Sequence, residues 1–126
     1  MTVAVYDTGV LIAADRNERA AWAEHRVRLE AGFVPLVPAA VVAQASRSER
    51  QAQLRRFLRG CEVVSLDEHA AHRAGALLGK AKASDVVDAS VVALAASTGA
   101  EIVTSDAADI RRLVVASGKR IAVQVR

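Results

Sequence analysis

Cysteine occurs once in the 126 residues, as Cys61, which excludes an internal disulfide framework and any site built on several thiolates. The two prolines, Pro35 and Pro38, lie too close together to bracket a linker, and no repeat or low-complexity tract divides the chain. Aromatic residues are few: Tyr6, Trp22, Phe33 and Phe57 leave Val, Ala and Leu to fill the core and offer few platforms for stacking on bases. No apolar run approaches the ~18 residues of a membrane span. The opening MTVAVYDTGVLIAAD has no basic leader and carries Asp7 inside its apolar stretch, so a cytoplasmic protein with no membrane partner is expected. There is no Ser, His and Asp arrangement and no glycine-rich dinucleotide motif. GALLGK at 75–80 is one residue short between its glycines for a phosphate loop and is followed by Ala81 where a hydroxyl is needed. His69 and His72 stand one helical turn apart, but no third zinc ligand accompanies them.

What remains is a chain that is 52% hydrophobic and fits one domain, residues 1–126, long enough to bury about two thirds of its unfolded surface. Short β-branched runs alternate with longer helical patterns. Strands are expected at 3–6, 34–37, 62–66, 101–105 and 121–125, and helices at 8–14, 19–31, 38–46, 49–59, 67–81, 85–98 and 107–117. Alternation of this kind requires right-handed crossovers, hence an α/β fold whose central parallel sheet of about five strands is covered by helices on both faces. Such sheets take ligands beyond the carboxyl ends of their strands.

Aspartates fall at those ends. Asp7 closes the run VAVY and Asp106 closes EIVTS, while Asp85 and Asp88 open DVVDASVVALAAS, a helix apolar nearly all round and so expected to be largely buried. Each has a local alternative. Asp7, Asp85 and Asp106 could cap the helices they precede, Thr104 and Ser105 could cap or donate to a phosphate oxygen, and Asp88 could complete a capping box with Asp85 or pair with an arginine. Asp88 lies past the usual cap position, one turn from a second carboxylate. Like charges at that spacing repel by roughly 0.2–0.5 kcal/mol, and burial without a partner costs more. A bound cation removes both penalties. An all-oxygen set of this kind suits Mg2+ or Mn2+, which keep several waters and need only a few carboxylates. Such an ion polarises a phosphoryl oxygen and acidifies an attacking water, which points to phosphodiester chemistry that falls off in acid as protons displace the metal.

The formal charge is +3, unevenly spread: Arg47, Arg50, Arg55, Arg56 and Arg59 crowd one segment, and Arg111, Arg112, Lys119, Arg120 and Arg126 collect near the end. Either these form a basic rim around the acidic centre that holds a nucleic-acid backbone, or they are solvated helical faces.

These residues in this order resemble the PIN domain, and within it the toxin ribonucleases of the VapC type. The carriers are VYDTGVLIAA, VPAAVVAQ, DVVDASVVALAASTGAEIVTSDAADI and IAVQV, which together span essentially the whole chain. The resemblance implies a three-layer α/β/α domain acting as a Mg2+- or Mn2+-dependent endoribonuclease on RNA, held inactive by a cognate antitoxin and often a homodimer. It assigns Asp7, Asp88 and Asp106 to the metal, with Asp85 and Asp109 in supporting roles. The chain departs from the family in one place: Gln44 stands where members commonly carry a glutamate. An amide can ligate or hold a metal-bound water but brings no charge, so weaker metal binding is expected. Glu49, five residues further on, is a poor substitute if the helix continues between them.

Two other classes compete with the nuclease. One is a PIN-like module in which Gln44 has abolished catalysis, leaving RNA or partner binding. The other is a phosphoacceptor receiver domain, which needs an acidic pair after the first strand and a lysine near the end of the last; here Asp7 is followed by Thr8, and Lys119 precedes the last strand.

Overall fold

The structure is a computed structural model that describes residues 2–126. Five strands are β1 (Ala4–Tyr6), β2 (Leu36–Pro38), β3 (Glu62–Val64), β4 (Glu101–Thr104) and β5 (Val123–Val125). Seven helices are α1 (Thr8–Asp15), α2 (Arg19–Glu30), α3 (Ala39–Ala45), α4 (Ala52–Leu58), α5 (Glu68–Ala81), α6 (Val86–Thr98) and α7 (Ala108–Ser117). The strands form one sheet in the order β3-β2-β1-β4-β5 with every pairing parallel. The chain winds outward from β1 to β3, then returns through α5 and α6 to β4 on the other side of β1. The order therefore reverses between β1 and β4, and a crevice opens there beyond the carboxyl ends of both strands.

The elements follow from the sequence. The run of β1 is buried on both faces, with Ala4, Val5 and Tyr6 all at 0% exposure, as a central parallel strand requires. Helix α6 crosses the sheet against β1, β2 and β4 and packs between α5 and α7, which is why it reads as apolar all round. On the opposite face α1 packs against α2 and α4. The core between these layers is built from Tyr6, Leu11, Val37, Phe57, Val91, Val92, Ile102 and Ile110. Helix α6 ends at Gly99, whose φ of 74° is a left-handed cap that a side chain would strain.

The expected elements are all present, with shifted ends. The strands are shorter than expected because each is limited to the residues its neighbour pairs: β3 matches only Leu36 to Pro38, and β5 only Ile102 to Thr104. Helix α4 starts at Ala52 rather than at 49, because the Gln51 amide oxygen accepts the Arg47 and Ser48 N–H groups and fixes a turn there. Among the described residues no helix is long and apolar enough to cross a membrane.

Candidate active site

The crevice is organised by Asp7. Its backbone N–H donates to the Val103 carbonyl at 3.0 Å, extending the pairing of β1 with β4 by one residue. Its side chain turns into the first turn of α1: Oδ1 accepts the Thr8 N–H at 2.8 Å and Oδ2 accepts the Thr104 hydroxyl at 2.7 Å, leaving the residue 8% exposed. Asp7 does cap its helix, then, but with one oxygen only. Thr104 is completely buried and its oxygen also accepts the Asp106 N–H at 3.1 Å, so one hydroxyl ties the end of β1 to the turn after β4. This corrects the expectation that Thr104 could reach a phosphate.

Gly9 lets these two turns approach. A Cβ there would lie 1.9 Å from Ser105 Oγ and 2.8 Å from Ser105 Cβ, so any side chain would push α1 off the β4–α7 turn. The only sequence signal for this was the glycine in DTG itself.

Asp88 enters from α6. Its N–H donates to Asp85 Oδ1 at 3.0 Å, so Asp85 is the cap of that helix and Asp88 sits in its first turn. Burial first, and then the charges of Asp85, Asp7, Asp109 and Asp106, together push the Asp88 carboxyl up to about 7. Five carboxylates therefore share one electrostatic field. The arginine pair considered for Asp88 is not formed: among the described residues the ion pairs are Arg28–Glu24, His72–Glu68 and Arg126–Glu24. Asp106 does not cap α7, whose first flanking residue is Ala107 with no side-chain bond; its carboxylate stays exposed and its charge acts on Asp88.

Gln44 is brought to the same place. Thr8 Oγ1 donates to Gln44 Oε1 at 2.5 Å, joining α3 to the residue after Asp7. The amide is thus held beside the acids, with its oxygen already engaged. Glu49 is elsewhere: α3 ends at Ala45, and the following segment runs to the far end of α1, where Gln51 Nε2 donates to Asp15 Oδ2 at 3.0 Å.

Among the described residues no three His, Cys, Asp or Glu side chains converge closely enough to grip an ion directly as they stand. The chemistry of the donors nevertheless fits a hard divalent cation: the groups are oxygens, and Asp88 is pushed up by burial and then by acidic neighbours whose charge a cation would compensate. Ions of the Mg2+ type bind through one or two carboxylates and keep much of their water shell. His69 and His72 are exposed on α5, where His72 lies 3.4 Å from Glu68. Cys61 is half-buried, and the loss of solvent pushes its thiol up to about 12 and leaves it unreactive.

The expected basic ring around this centre is broken. Helix α4 leads into the start of β3, so Arg55, Arg56 and Arg59 lie toward the amino ends of the strands, away from the acids. Lys119 and Arg120 likewise precede β5, while Arg47 folds back onto the Ala43 and Ser46 carbonyls. Of the arginines near the end of the chain, Arg111, Arg112 and Arg126 follow the carboxyl ends of β4 and β5; Arg112 is bonded to the Ala81 carbonyl and Arg126 to Glu24.

A doubly wound parallel sheet takes its ligands at the switch point of its strand order, and here aspartates gather there. Residues 4–115 match the model of the PIN domain, and the chain belongs to that family. Solved structures share this fold. The chain is 14% identical, with a TM-score of 0.74, to a protein of the Rickettsia felis VapBC2 complex bound to a DNA fragment from its promoter, covering 98% of each chain. For DNA-bound VapBC of Salmonella typhimurium the values are 20% and 0.72, covering 99% of this chain and 98% of that one. For FitAcB of Neisseria gonorrhoeae they are 15% and 0.63, covering 97% and 96%. No curated protein matches the chain.

Proposed function

We propose that the protein is a metal-dependent endoribonuclease, the toxin of a toxin–antitoxin pair. The observation that carries this reading is the gathering of Asp88, its carboxyl raised, with four other aspartates that have no basic partner within 4.0 Å among the described residues. Asp7, Asp88 and Asp106 would hold Mg2+ or Mn2+, with Asp85 close enough to share it through water. When bound, such an ion would neutralise phosphate charge and lower the pKa of an attacking water. The remaining work falls to residues of the chain. Thr8 and Thr104 hold Asp7 in one orientation, Asp85 fixes the first turn of α6 beneath Asp88, and Gln44 offers its amide N–H group to a phosphate oxygen while Thr8 holds its carbonyl. The partner in this reading is a cognate antitoxin. A groove of about 420 Å³ between α1 and α2, reaching Ser105 and Arg126, is a place where an antitoxin segment could lie. A homodimer of the toxin belongs to the same proposal.

Cleavage of a structured RNA pool by antitoxin-free protein, with Mg2+, Mn2+ or EDTA, tests the reading against Asp88→Asn. Metal-dependent cleavage lost in the variant supports it. A second reading is favoured by Gln44, whose amide brings no charge where the family commonly has a glutamate: a PIN-like module that binds RNA or a partner without cutting. Folded protein that binds RNA equally well in EDTA and cleaves nothing with either metal would select that reading.

A further inference from the structure

A second cavity, of about 400 Å³, lies on the flank formed by α2 and α4, and its lining consists of Asn17, Arg19, Trp22, Ala23, Arg26 and Arg56. Arg19, Trp22 and Arg26 recur at helical spacing and so form one stripe along α2. The lining holds three guanidinium groups and no carboxylate. None of the three has an acidic partner within 4.0 Å among the described residues, where the arginine ion pairs are those of Arg28 and Arg126 with Glu24. Glu18, the nearest acid in sequence, lines the neighbouring groove instead. Helix α2 also starts with no side-chain cap, so the free N–H groups of its first turn add positive potential beside Arg19.

The cavity has a flat floor as well as charge. Trp22 is anchored by its indole N–H, which donates to the Ala14 carbonyl at 3.0 Å, and by the edge-on ring of Phe57 at 5.1 Å. The guanidinium of exposed Arg56 lies 4.6 Å from the centre of the Trp22 ring. A guanidinium fixed on an aromatic ring keeps its outer face free, and unpaired bases stack on such faces.

We propose that this cavity anchors single-stranded RNA at a distance from the acidic crevice: Arg19 and Arg26 hold a backbone phosphate, and a base stacks on Arg56 where it rests on Trp22. The proposal rests on the ribonuclease reading for the identity of the ligand. The anchor and the crevice lie at opposite ends of α1, whose eight residues rise about 12 Å at the usual pitch. A strand engaging both would therefore run along α1 instead of ending at the metal. Arg56, one of the arginines that fail to ring the acids, acquires a role at the other pole.

Trp22 is the sole tryptophan, so its fluorescence reports this cavity directly. A short single-stranded RNA is titrated into the full chain in EDTA, where cleavage is excluded, and followed by Trp22 emission and by anisotropy of a label on the RNA. The expected result is a change in Trp22 emission that saturates with the anisotropy. The triple variant Arg19→Gln, Arg26→Gln, Arg56→Gln should bind about tenfold or more weakly at 0.1 M salt, with a salt slope smaller by about 2. A control triple of equal charge loss, Arg50→Gln, Lys119→Gln, Arg120→Gln, should bind like the parent. Arg56→Lys, which keeps charge but not the planar face, should retain the salt slope and lose the emission change. Equal weakening in both triples, an unchanged Trp22 signal at saturation, absence of RNA binding by the parent, or displacement by polyglutamate at the same charge concentration would each overturn the anchor. Cleavage with Mg2+ or Mn2+ is scored separately. Loss of binding in the first triple from a parent that cuts nothing supports the anchor and refutes the nuclease; cleavage with no difference between the triples does the reverse.

Discussion

Replacing Asp88 with asparagine should stabilise the metal-free protein above neutral pH, although it removes a group proposed to bind metal. In the folded chain the Asp88 carboxyl titrates at about 7 instead of 3.8, because burial and then Asp85, Asp7, Asp109 and Asp106 all oppose its charge. Between those two values the folded state holds a proton that the unfolded state has lost. Stability associated with this group is therefore fully present below about pH 4 and is lost as the pH rises through 7. Each pH unit of difference corresponds to about 1.4 kcal/mol, giving a ceiling of about 4 kcal/mol. Asp88 is only half-buried and titrates as one of a coupled set, and screening by water brings the expected effect to roughly 1–2 kcal/mol. For a chain of this size that is a difference of about 3–8 °C in Tm. In EDTA, the Tm of Asp88→Asn should exceed that of the parent by this amount at pH 8, and the gap should narrow toward pH 5 and close near pH 4. Addition of Mg2+ at pH 8 should raise the parent and leave the variant nearly unchanged. Thermal melts of the two proteins that run parallel from pH 5 to pH 8 would show that the carboxylates do not share a field, and would refute the reasoning.

Gly9→Ala should lower stability by about 1–3 kcal/mol, because the new methyl group meets Ser105 at less than contact distance. Most of that loss should return in Gly9→Ala with Ser105→Gly; failure of the rescue in thermal melts would place the strain elsewhere. Thr104→Val leaves Asp7 Oδ2 and the Asp106 N–H without their shared partner. It should cost about 1–3 kcal/mol and weaken Mn2+ binding by calorimetry, and an unchanged Mn2+ affinity would deny that Thr104 positions Asp7. Gln44→Glu should tighten Mn2+ binding about tenfold or more, since one added charge about 4 Å from a divalent cation is worth about 2 kcal/mol even in water. An unchanged affinity would mean that position 44 does not face the ion.

The architecture was readable because its signals are local. Each β-branched run is followed by a helix of clear periodicity, and that alternation admits few topologies besides a parallel sheet covered on both faces. The positions of Asp7 and Asp106 follow from the same logic, being the residues just beyond two strands. What could not be read depended on distant pairs. The hydroxyl linking Asp7 and Asp106 belongs to Thr104, 97 residues from Asp7, and the Gly9–Ser105 approach spans almost the whole chain. Beneath β1, Tyr6 OH lies 2.9 Å from His25 Nδ1 and accepts from Arg28 at 3.3 Å. Burial there pushes the tyrosine up to about 12 and the imidazole down to about 4, so neither side chain titrates near neutral pH. Nothing in the run WAEHRVR separates such a buried pair from an exposed helical face. The arginines misled for a related reason. Crowding in sequence shows that Arg55, Arg56 and Arg59 are together, but only the direction of α4 relative to the sheet shows which pole they occupy.

The same geometry removes the choice between capping and ligation for the aspartates. At Asp7 and Asp85 the cap occupies one carboxylate oxygen and thereby fixes the orientation of the group. A fixed carboxylate loses less entropy when a cation arrives, so the cap favours ligation by the remaining lone pairs. Asp88 and Asp106 have no such restraint on their carboxylates, and they carry the repulsion: Asp88 by holding its proton to near neutral pH, Asp106 by standing in solvent. The site thus divides into oriented acids, whose positions the fold sets without metal, and frustrated acids, whose charge a cation would compensate. Metal binding of the kind proposed would couple folding to metal affinity at the second group. For this reason the effect of Asp88→Asn on stability should change sign between EDTA and Mg2+, whereas Thr104→Val should be unfavourable in both.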